Sequence, residues 1–392
     1  MSTFSPAEVR EIRSEFPALR RYVYLATNGL GLLPRRAVAA ARALLNRLRD
    51  DGIVYEIFSS RERIREVRHQ VSRFVGADPT EVAFSRNTTE GILWFTHSYP
   101  WQGGDEVLAL QGSYPSTVLP FLARRCEGVR VRFLAERDRR LSAADVAQAW
   151  GERTRVLALS WVQFHSGFRA PLEELVAVVH QRSGLVVCDG IQGLGALPFS
   201  AHDCGVDLLA AGAQKWLIGP PGLGVVVIRR RLLDRLHPHH VGLGSLVRDH
   251  DPEDPQAPYD EQFFSEARRF EEGMRNWLGI EMLSASLSLL AEVGVERIAR
   301  HIKSLTDLLI DRVTPLGWTV ESPRGEGEWS GILLLRPPEG QSAEGWMHRL
   351  HEEHVAINHR EGCLHLGIHF YNDERDLMHL VRLMRAAGPP RG

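Results

Sequence analysis

Lys215 stands in Asp207-Leu-Leu-Ala-Ala-Gly-Ala-Gln-Lys-Trp-Leu-Ile-Gly-Pro-Pro-Gly-Leu-Gly224, between an apolar run and a glycine-rich turn. An amine taken out of water has a lowered pKa and can stay neutral, the state in which it attacks an aldehyde and holds it as a Schiff base. The competing reading is a lysine that snorkels to the surface from a strand end. Upstream, Gly184-Leu-Val-Val-Cys-Asp189 delivers a carboxylate to the end of an apolar run, the edge at which open α/β sheets bind ligands. Asp189 is there either as a helix cap or as the partner of a protonated ring nitrogen, which keeps that ring an electron sink. The third group is Arg86-Asn-Thr-Thr-Glu-Gly-Ile92, which follows the strand-like Glu81-Val-Ala-Phe-Ser85. A helix starting here offers free N–H groups and its positive dipole end to a phosphate, and Thr88 and Thr89 add hydroxyls. The same residues also read as a cap followed by Glu.

These groups need a scaffold that gathers strand ends. Apolar runs at Glu106–Leu110, Val129–Phe133, Val156–Ser160, Leu185–Cys188, Val206–Leu209 and Gly224–Ile228 alternate with helical patterns. That alternation predicts βαβ units and a mostly parallel sheet, with Gly222-Leu-Gly224 turning an antiparallel strand back beside the lysine strand. A chain of 392 residues, 44% hydrophobic and 24% charged, exceeds one domain. The expected division is a large domain over 20–255 and a small α+β domain built from 1–19 and 256–392. The acidic, proline-rich Arg248–Pro258 marks the exit from the large domain. Beyond it, Trp277–Leu290 is helical in period, and Gly331–Arg336 and Cys363–His369 are strand-like.

A net charge of −2 leaves no electrostatic footprint for nucleic acid or an anionic membrane. No apolar signal core or window of about 18 apolar residues is evident, so a cytoplasmic enzyme with no membrane contact is expected. Cys126, Cys188, Cys204 and Cys363 lack paired metal spacing and are expected as free thiols. His237-Pro-His-His240 lacks companion ligands and reads as a surface loop, so no metal is expected.

In chain order, Asn87-Thr-Thr-Glu-Gly-Ile92, Ser113-Tyr-Pro-Ser-Thr-Val-Leu-Pro-Phe121, Ser160-Trp-Val-Gln-Phe-His-Ser-Gly-Phe-Arg169, Asp189-Gly-Ile-Gln192, Lys215-Trp-Leu-Ile-Gly-Pro220 and Phe370-Tyr-Asn372 form a series. It resembles the class V aminotransferases, fold-type I pyridoxal 5'-phosphate (PLP) enzymes that include cysteine desulfurases, kynureninase and isopenicillin N epimerase. The likeness runs from Tyr24-Leu-Ala-Thr-Asn-Gly29 to the C-terminal segment. It implies an α/β fold with a mostly parallel seven-stranded sheet, and a homodimer with active sites at the interface.

Carried over by position, the resemblance implies that Lys215 forms the internal aldimine and Asp189 pairs with the pyridine nitrogen. Gln192 would hydrogen-bond the phenolic oxygen, Thr89 and the amide of Thr88 would hold the phosphate, and Tyr114 would stack on the pyridine face. Gln214 stands where many members have histidine, as a further phosphate or hydroxyl contact. Met274 replaces a threonine that often reaches the partner subunit's phosphate, which leaves the Gly273 backbone as donor. Asn28, His165, Arg169, Arg360 and His365 are the candidates for binding substrate.

His365 departs from the family, which usually places an arginine six residues before the Tyr of its Tyr-Asn pair to grip the substrate carboxylate. Imidazole lacks the planar guanidinium fork, and its charge at neutral pH depends on its surroundings. Arg360, Arg169 or Arg275 could take over that grip. The bond that breaks is the one held perpendicular to the ring, so a loosened grip admits decarboxylation. The expected activity is therefore a PLP enzyme acting through an external aldimine on an amino acid or amino-acid conjugate, by transamination or by β-elimination of the C–S lyase type. Decarboxylation-coupled deamination, cysteine desulfuration and a noncatalytic PLP-fold binding protein are the alternatives. Cys363 has only a short turn ahead of its strand, lacks the reach of a desulfurase's loop nucleophile, and reads as structural.

Overall fold

The structure is a computed structural model and describes residues 4–55, 59–247 and 262–386. Valine, leucine and alanine bury the central strands on both faces, as strands covered by helices on each side must be. In chain order the strands are β1 (Val82–Ser85), β2 (Glu106–Leu110), β3 (Arg130–Leu134), β4 (Thr154–Ser160), β5 (Leu185–Asp189), β6 (Leu208–Gly212) and β7 (Gly224–Ile228). They form one seven-stranded sheet in the order β1-β7-β6-β5-β4-β2-β3. Neighbours are parallel from β6 through to β3, whereas β7 runs antiparallel to both β6 and β1. The expected reversal beside the lysine strand is therefore present. β6 begins two residues later than its apolar run suggests, because the Asp207 carboxylate is taken by Val186 N–H (2.8 Å) and Arg231 Nε (2.9 Å) at the opposite end of the strand from Lys215.

The C-terminal part carries an antiparallel sheet of β8 (Thr319–Val320), β9 (Ile332–Arg336), β10 (Asn358–Arg360) and β11 (Cys363–Gly367), ordered β10-β11-β9-β8. Alternation gives its two faces different partners. Leu333, Leu335, Leu364 and Leu366 join a core with Leu305, Leu309, Trp346 and Leu380. Ile332, Leu334 and Cys363 join the core shared with the large sheet. His365 pairs with Leu334 and Asn358 and so lies on this second face. A slip of one residue would bury it among the leucines instead.

Ser5 opens the helix Pro6–Ser14 with a capping box to Glu8. That helix docks on the C-terminal part through Arg13, which donates to Asp376 (2.7 Å) and the Tyr371 carbonyl (2.9 Å). The helix Trp277–Val293 packs against the helices Arg35–Asp51 and Arg61–Val75, and its Ile280, Leu283 and Leu287 enter the core of the large sheet. The boundary at 255/256 and the Arg248–Pro258 loop lie outside the described residues. Among the described residues, no single helix is long and apolar enough to cross a membrane.

Candidate active site

Lys215 sits on the turn after β6, with its Nζ 5.6 Å from the centre of the Tyr114 ring. Burial pulls its pKa below the usual lysine range and outweighs the opposing pull of Asp189, while Arg360 pushes the same way as burial. The buried amine facing Tyr114 does not reach out to solvent as the snorkelling alternative requires. The turn is clamped by close backbone approach from several elements. Gly31 N–H donates to the Gln214 carbonyl at 2.7 Å, and a Cβ on Gly31 would meet the Lys215 carbonyl oxygen at 2.0 Å. Gly195 (φ +95°) would likewise drive a Cβ to 2.2 Å from the Trp216 oxygen, so only glycine fits there. Across from it, His369 Nε2 lies 3.0 Å from that same oxygen. Buried Ile218 is held at φ +49°, an uncommon state for a β-branched residue, and Ser286 Oγ pins its carbonyl at 2.9 Å.

Asp189 ends β5 beside this turn. No helix follows it, so the cap reading gives way to a short turn in which Ile191 N–H donates to Oδ1 at 2.9 Å. Thr117 Oγ1 donates to Oδ2 at 3.3 Å. Burial raises the Asp189 pKa, and Ile191, Lys215 and Thr117 oppose that rise. Gln192 is oriented by two unambiguous partners. Its Oε1 accepts from the Trp216 indole at 2.7 Å, and its Nε2 donates to the Asn28 carbonyl at 3.0 Å, which leaves one N–H unspent.

The helix Thr88–Ser98 starts where β1 ends, and Asn87 caps it by accepting from Glu90 N–H at 2.9 Å. Among the described residues, the N–H groups of Thr88 and Thr89 meet no protein acceptor, so the cap and the anion site coexist. Thr88 Oγ1 accepts from Gly212 N–H (2.9 Å), which ties the helix to the end of β6, and Thr89 Oγ1 donates to Ser116 Oγ (2.7 Å). Gly273 borders open space, and the adjoining Met274 is exposed.

His365 is buried with its pKa pulled down to about 3 by burial, with Arg360, Lys215 and His165 adding to the effect. It is a neutral ring at neutral pH. It is hydrogen-bonded to the Phe164 backbone and lies 3.1 to 3.2 Å from Asn28 Nδ2. Arg360 lies with its guanidinium 4.6 Å from the centre of the Phe164 ring and meets no carboxylate among the described residues. The other two arginines are engaged elsewhere. Arg169 Nε donates to the Gly327 carbonyl at 2.7 Å, and Arg275 is paired with Glu271 at 2.5 Å. His165 is buried against Glu136, with Nε2 2.9 Å from Oε2. Cys363 is buried opposite Arg360 across a two-residue turn in which Glu361 (φ +50°) and Gly362 (φ +72°) are both left-handed. Burial pushes its thiol pKa up.

The Phe370-Tyr-Asn372 motif acts at one remove from the site. Asn372 Nδ2 donates to the Tyr24 carbonyl (2.9 Å), and Tyr371 Oη lies 2.6 Å from Thr27 Oγ1, which together hold the segment that carries Asn28. Thr117, Ser116, Trp216, Phe164 and Glu136 escape the sequence reading as site residues. The first four lie inside quoted motifs, which was their only signal. Glu136 had none. His239 and His240 of the His237–His240 loop approach His97, with ring centres 5.6 and 5.4 Å away, and no group among the described residues could hold a metal ion.

The residues present fit PLP. They supply an amine, a buried carboxylate for a ring nitrogen, unpaired amides for a phosphate and an aromatic wall. Asn28 Oδ1, Ser113 Oγ and Gln214 Oε1, on segments bordering Lys215, are buried without protein partners, where such atoms are normally satisfied.

The profile of the family described as aminotransferase class V matches residues 23–382. A probable cysteine desulfurase of Aeropyrum pernix is 29% identical over 406 residues, covering 95% of this chain and 96% of the relative. An uncharacterised aminotransferase, YcbU of Bacillus subtilis, is 23% identical over 95% of this chain and 96% of its own length. Among solved structures, the cystine C-S lyase C-DES in complex with cysteine persulfide is 23% identical, with a TM-score of 0.88 over 95% of this chain and 100% of that one. The cysteine desulfurase CsdA of Escherichia coli is 22% identical, with a TM-score of 0.84 over 98% of each chain. At these identities the structures speak to the fold.

Proposed function

The chain belongs to the aminotransferase class V family of PLP-dependent enzymes, and from that premise we propose that it is a lyase that eliminates a sulfur leaving group from Cβ of an amino acid. Cys363 carries the choice between elimination and desulfuration by a protein thiol. It is buried in a regular hairpin with its thiol pKa raised, so it supplies neither the thiolate nor the reach that attack on substrate sulfur requires. The relatives named as cysteine desulfurases and a cystine C-S lyase support sulfur amino acids as the substrate class.

Lys215 would bind the cofactor, Asp189 would hold its ring nitrogen, Gln192 its phenolic oxygen, Tyr114 its face, and Thr88 and Thr89 its phosphate. When bound, PLP supplies an electron sink for the pair left at Cα. The chain's own part is positioning and proton transfer. Lys215 would remove the Cα proton, and burial lowers its pKa, the direction such a base needs. Arg360, with no carboxylate partner among the described residues, holds the substrate carboxylate in the role that neutral His365 cannot fill. His365 keeps Asn28 and the Phe164 loop in register. Loss of the Cα proton and of the Cβ–S bond leaves an enamine, which water converts to pyruvate and ammonia, and a thiolate or persulfide leaves without needing a protein acid. The protein would act as a homodimer, whose second copy would cover apolar side chains left exposed here, such as Leu30, Leu243 and Met274.

The test is product analysis with L-cystine and L-cysteine. Pyruvate released with sulfide or persulfide at many turnovers, retained in Cys363→Ser, supports elimination. Alanine as the carbon product, abolished in Cys363→Ser, would establish desulfuration. A single stoichiometric burst of keto acid that resumes only on adding an acceptor keto acid would establish transamination.

A further inference from the structure

We propose that Thr117 is a positioning residue for this reaction, its hydroxyl, backed by Ser160, holding the Asp189 carboxylate ionised and aimed at the cofactor's ring nitrogen. Thr117 is fully buried in the helix Pro115–Leu122. A threonine in a helix usually bonds the carbonyl one turn back, but this hydroxyl reaches another element, 3.3 Å from Asp189 Oδ2 and 3.5 Å from Ser160 Oγ. A carboxylate only accepts, so the single Thr117 proton goes to Asp189 and Ser160 donates to Thr117. The register of β4 on β5 sets Ser160 directly beside Asp189, which places the three groups in a row.

Each Asp189 oxygen then has one protein donor, Ile191 N–H on Oδ1 and Thr117 on Oδ2. That arrangement leaves each oxygen a free acceptor site for a ring N–H. The titratable group that acts on Asp189 is the Lys215 amine, and the Cys188 thiol of the same strand is kept protonated by burial and by the Asp189 charge. Neither substitutes for a hydroxyl donor. Donors to the charged form favour it, and burial works against them, so losing Thr117's proton would drive Asp189 towards its neutral state.

The proposal rests on the PLP reading. The experiment measures the cofactor dissociation constant from pH 5 to 8.5 by absorbance, alongside the pH dependence of the bound cofactor's visible band. Thr117→Val, which removes the hydroxyl with little change of shape, is expected to weaken cofactor binding about tenfold at pH 7 and to move the acid limb of the affinity profile up by about one unit. Affinity is lost as pH falls and Asp189 takes up a proton, so a raised Asp189 pKa moves that loss to higher pH. Thr117→Ser should restore both values to within about threefold, and Ser160→Ala should shift the limb in the same direction by less. A Thr117→Val protein with a wild-type limb would overturn the proposal. So would one equally weakened at every pH and not restored by serine, which would mark a packing role alone. Wild-type protein that takes up no cofactor would instead overturn the PLP reading, and the proposal with it.

Discussion

Alanine at Arg360 removes the one cation that reaches His365 and Lys215 electrostatically and has no carboxylate partner among the described residues. The guanidinium is exposed on β10 and stacks on Phe164, so it is preorganised but not fully desolvated. A charge-assisted hydrogen bond of this kind is worth about 1.5 to 3 kcal/mol, which predicts a roughly 10- to 150-fold weaker interaction with a carboxylate-bearing substrate. Arg360→Lys keeps the charge, loses the fork and the stacking, and should recover only part of the loss. His365→Ala provides the contrast. A ring with a pKa near 3 has no charge to lose at pH 7, and removing its bonds to Asn28 and Phe164 should cost about 1 kcal/mol, roughly fivefold. The assay is a spectral titration of the holoenzyme with the amino acid and with the amine that lacks its carboxylate. Arg360→Ala should weaken the first and leave the second within about twofold of wild type. A larger loss in His365→Ala than in Arg360→Ala, or an equal loss for acid and amine, would refute the assignment.

Lys215→Ala should abolish the covalent cofactor adduct, and borohydride reduction of the wild type should place the label on Lys215 by peptide mass spectrometry; a label elsewhere ends the Schiff-base assignment. Asp189→Asn should keep measurable cofactor binding while kcat falls by about 3 to 4 kcal/mol, the usual worth of an electrostatic partner at the reacting centre, and near-normal turnover would reduce Asp189 to a turn residue. His365 and His369 are both held near pKa 3, below the value of about 6.5 for an unfolded chain, so the unfolded state binds more protons between those values. Stability is complete above about pH 6.5 and falls as pH drops below it, by at most about 1.4 kcal/mol per pH unit for each ring. His369→Gln, which can still donate to the Trp216 carbonyl, should flatten the urea-midpoint profile between pH 7 and 5, and an unchanged slope would show that His369 does not titrate on unfolding.

Much of the scaffold was legible because its signals are local. Runs of β-branched and leucine residues bounded by glycine placed six of the seven large-sheet strands to within three residues at either end, and the strand before Arg86 came with the motif that follows it. Lys215, Asp189 and the Thr88 helix start were legible for the same reason, since strand ends and helix starts in an α/β sheet converge on one edge. The hairpin β10–β11 was less legible. Asn358-His-Arg360 is polar throughout, and its pairing depends on the left-handed Glu361-Gly362 turn, which read as a short loop ahead of a strand.

By itself, the sequence determined the fold class, the order of elements and which residue types meet at the strand ends, because periodicity, turn chemistry and motif spacing are properties of neighbouring residues. Tertiary structure decided what those side chains do. It gave Arg169 and Arg275 a carbonyl and a carboxylate partner, and left Arg360 without a carboxylate among the described residues. It made His365 a neutral ring by burying it, and it set Thr117 on Asp189 from a helix 72 positions away in the chain. Charge state and hydrogen-bond partner are set by desolvation and distance in three dimensions, and spacing along a chain carries neither.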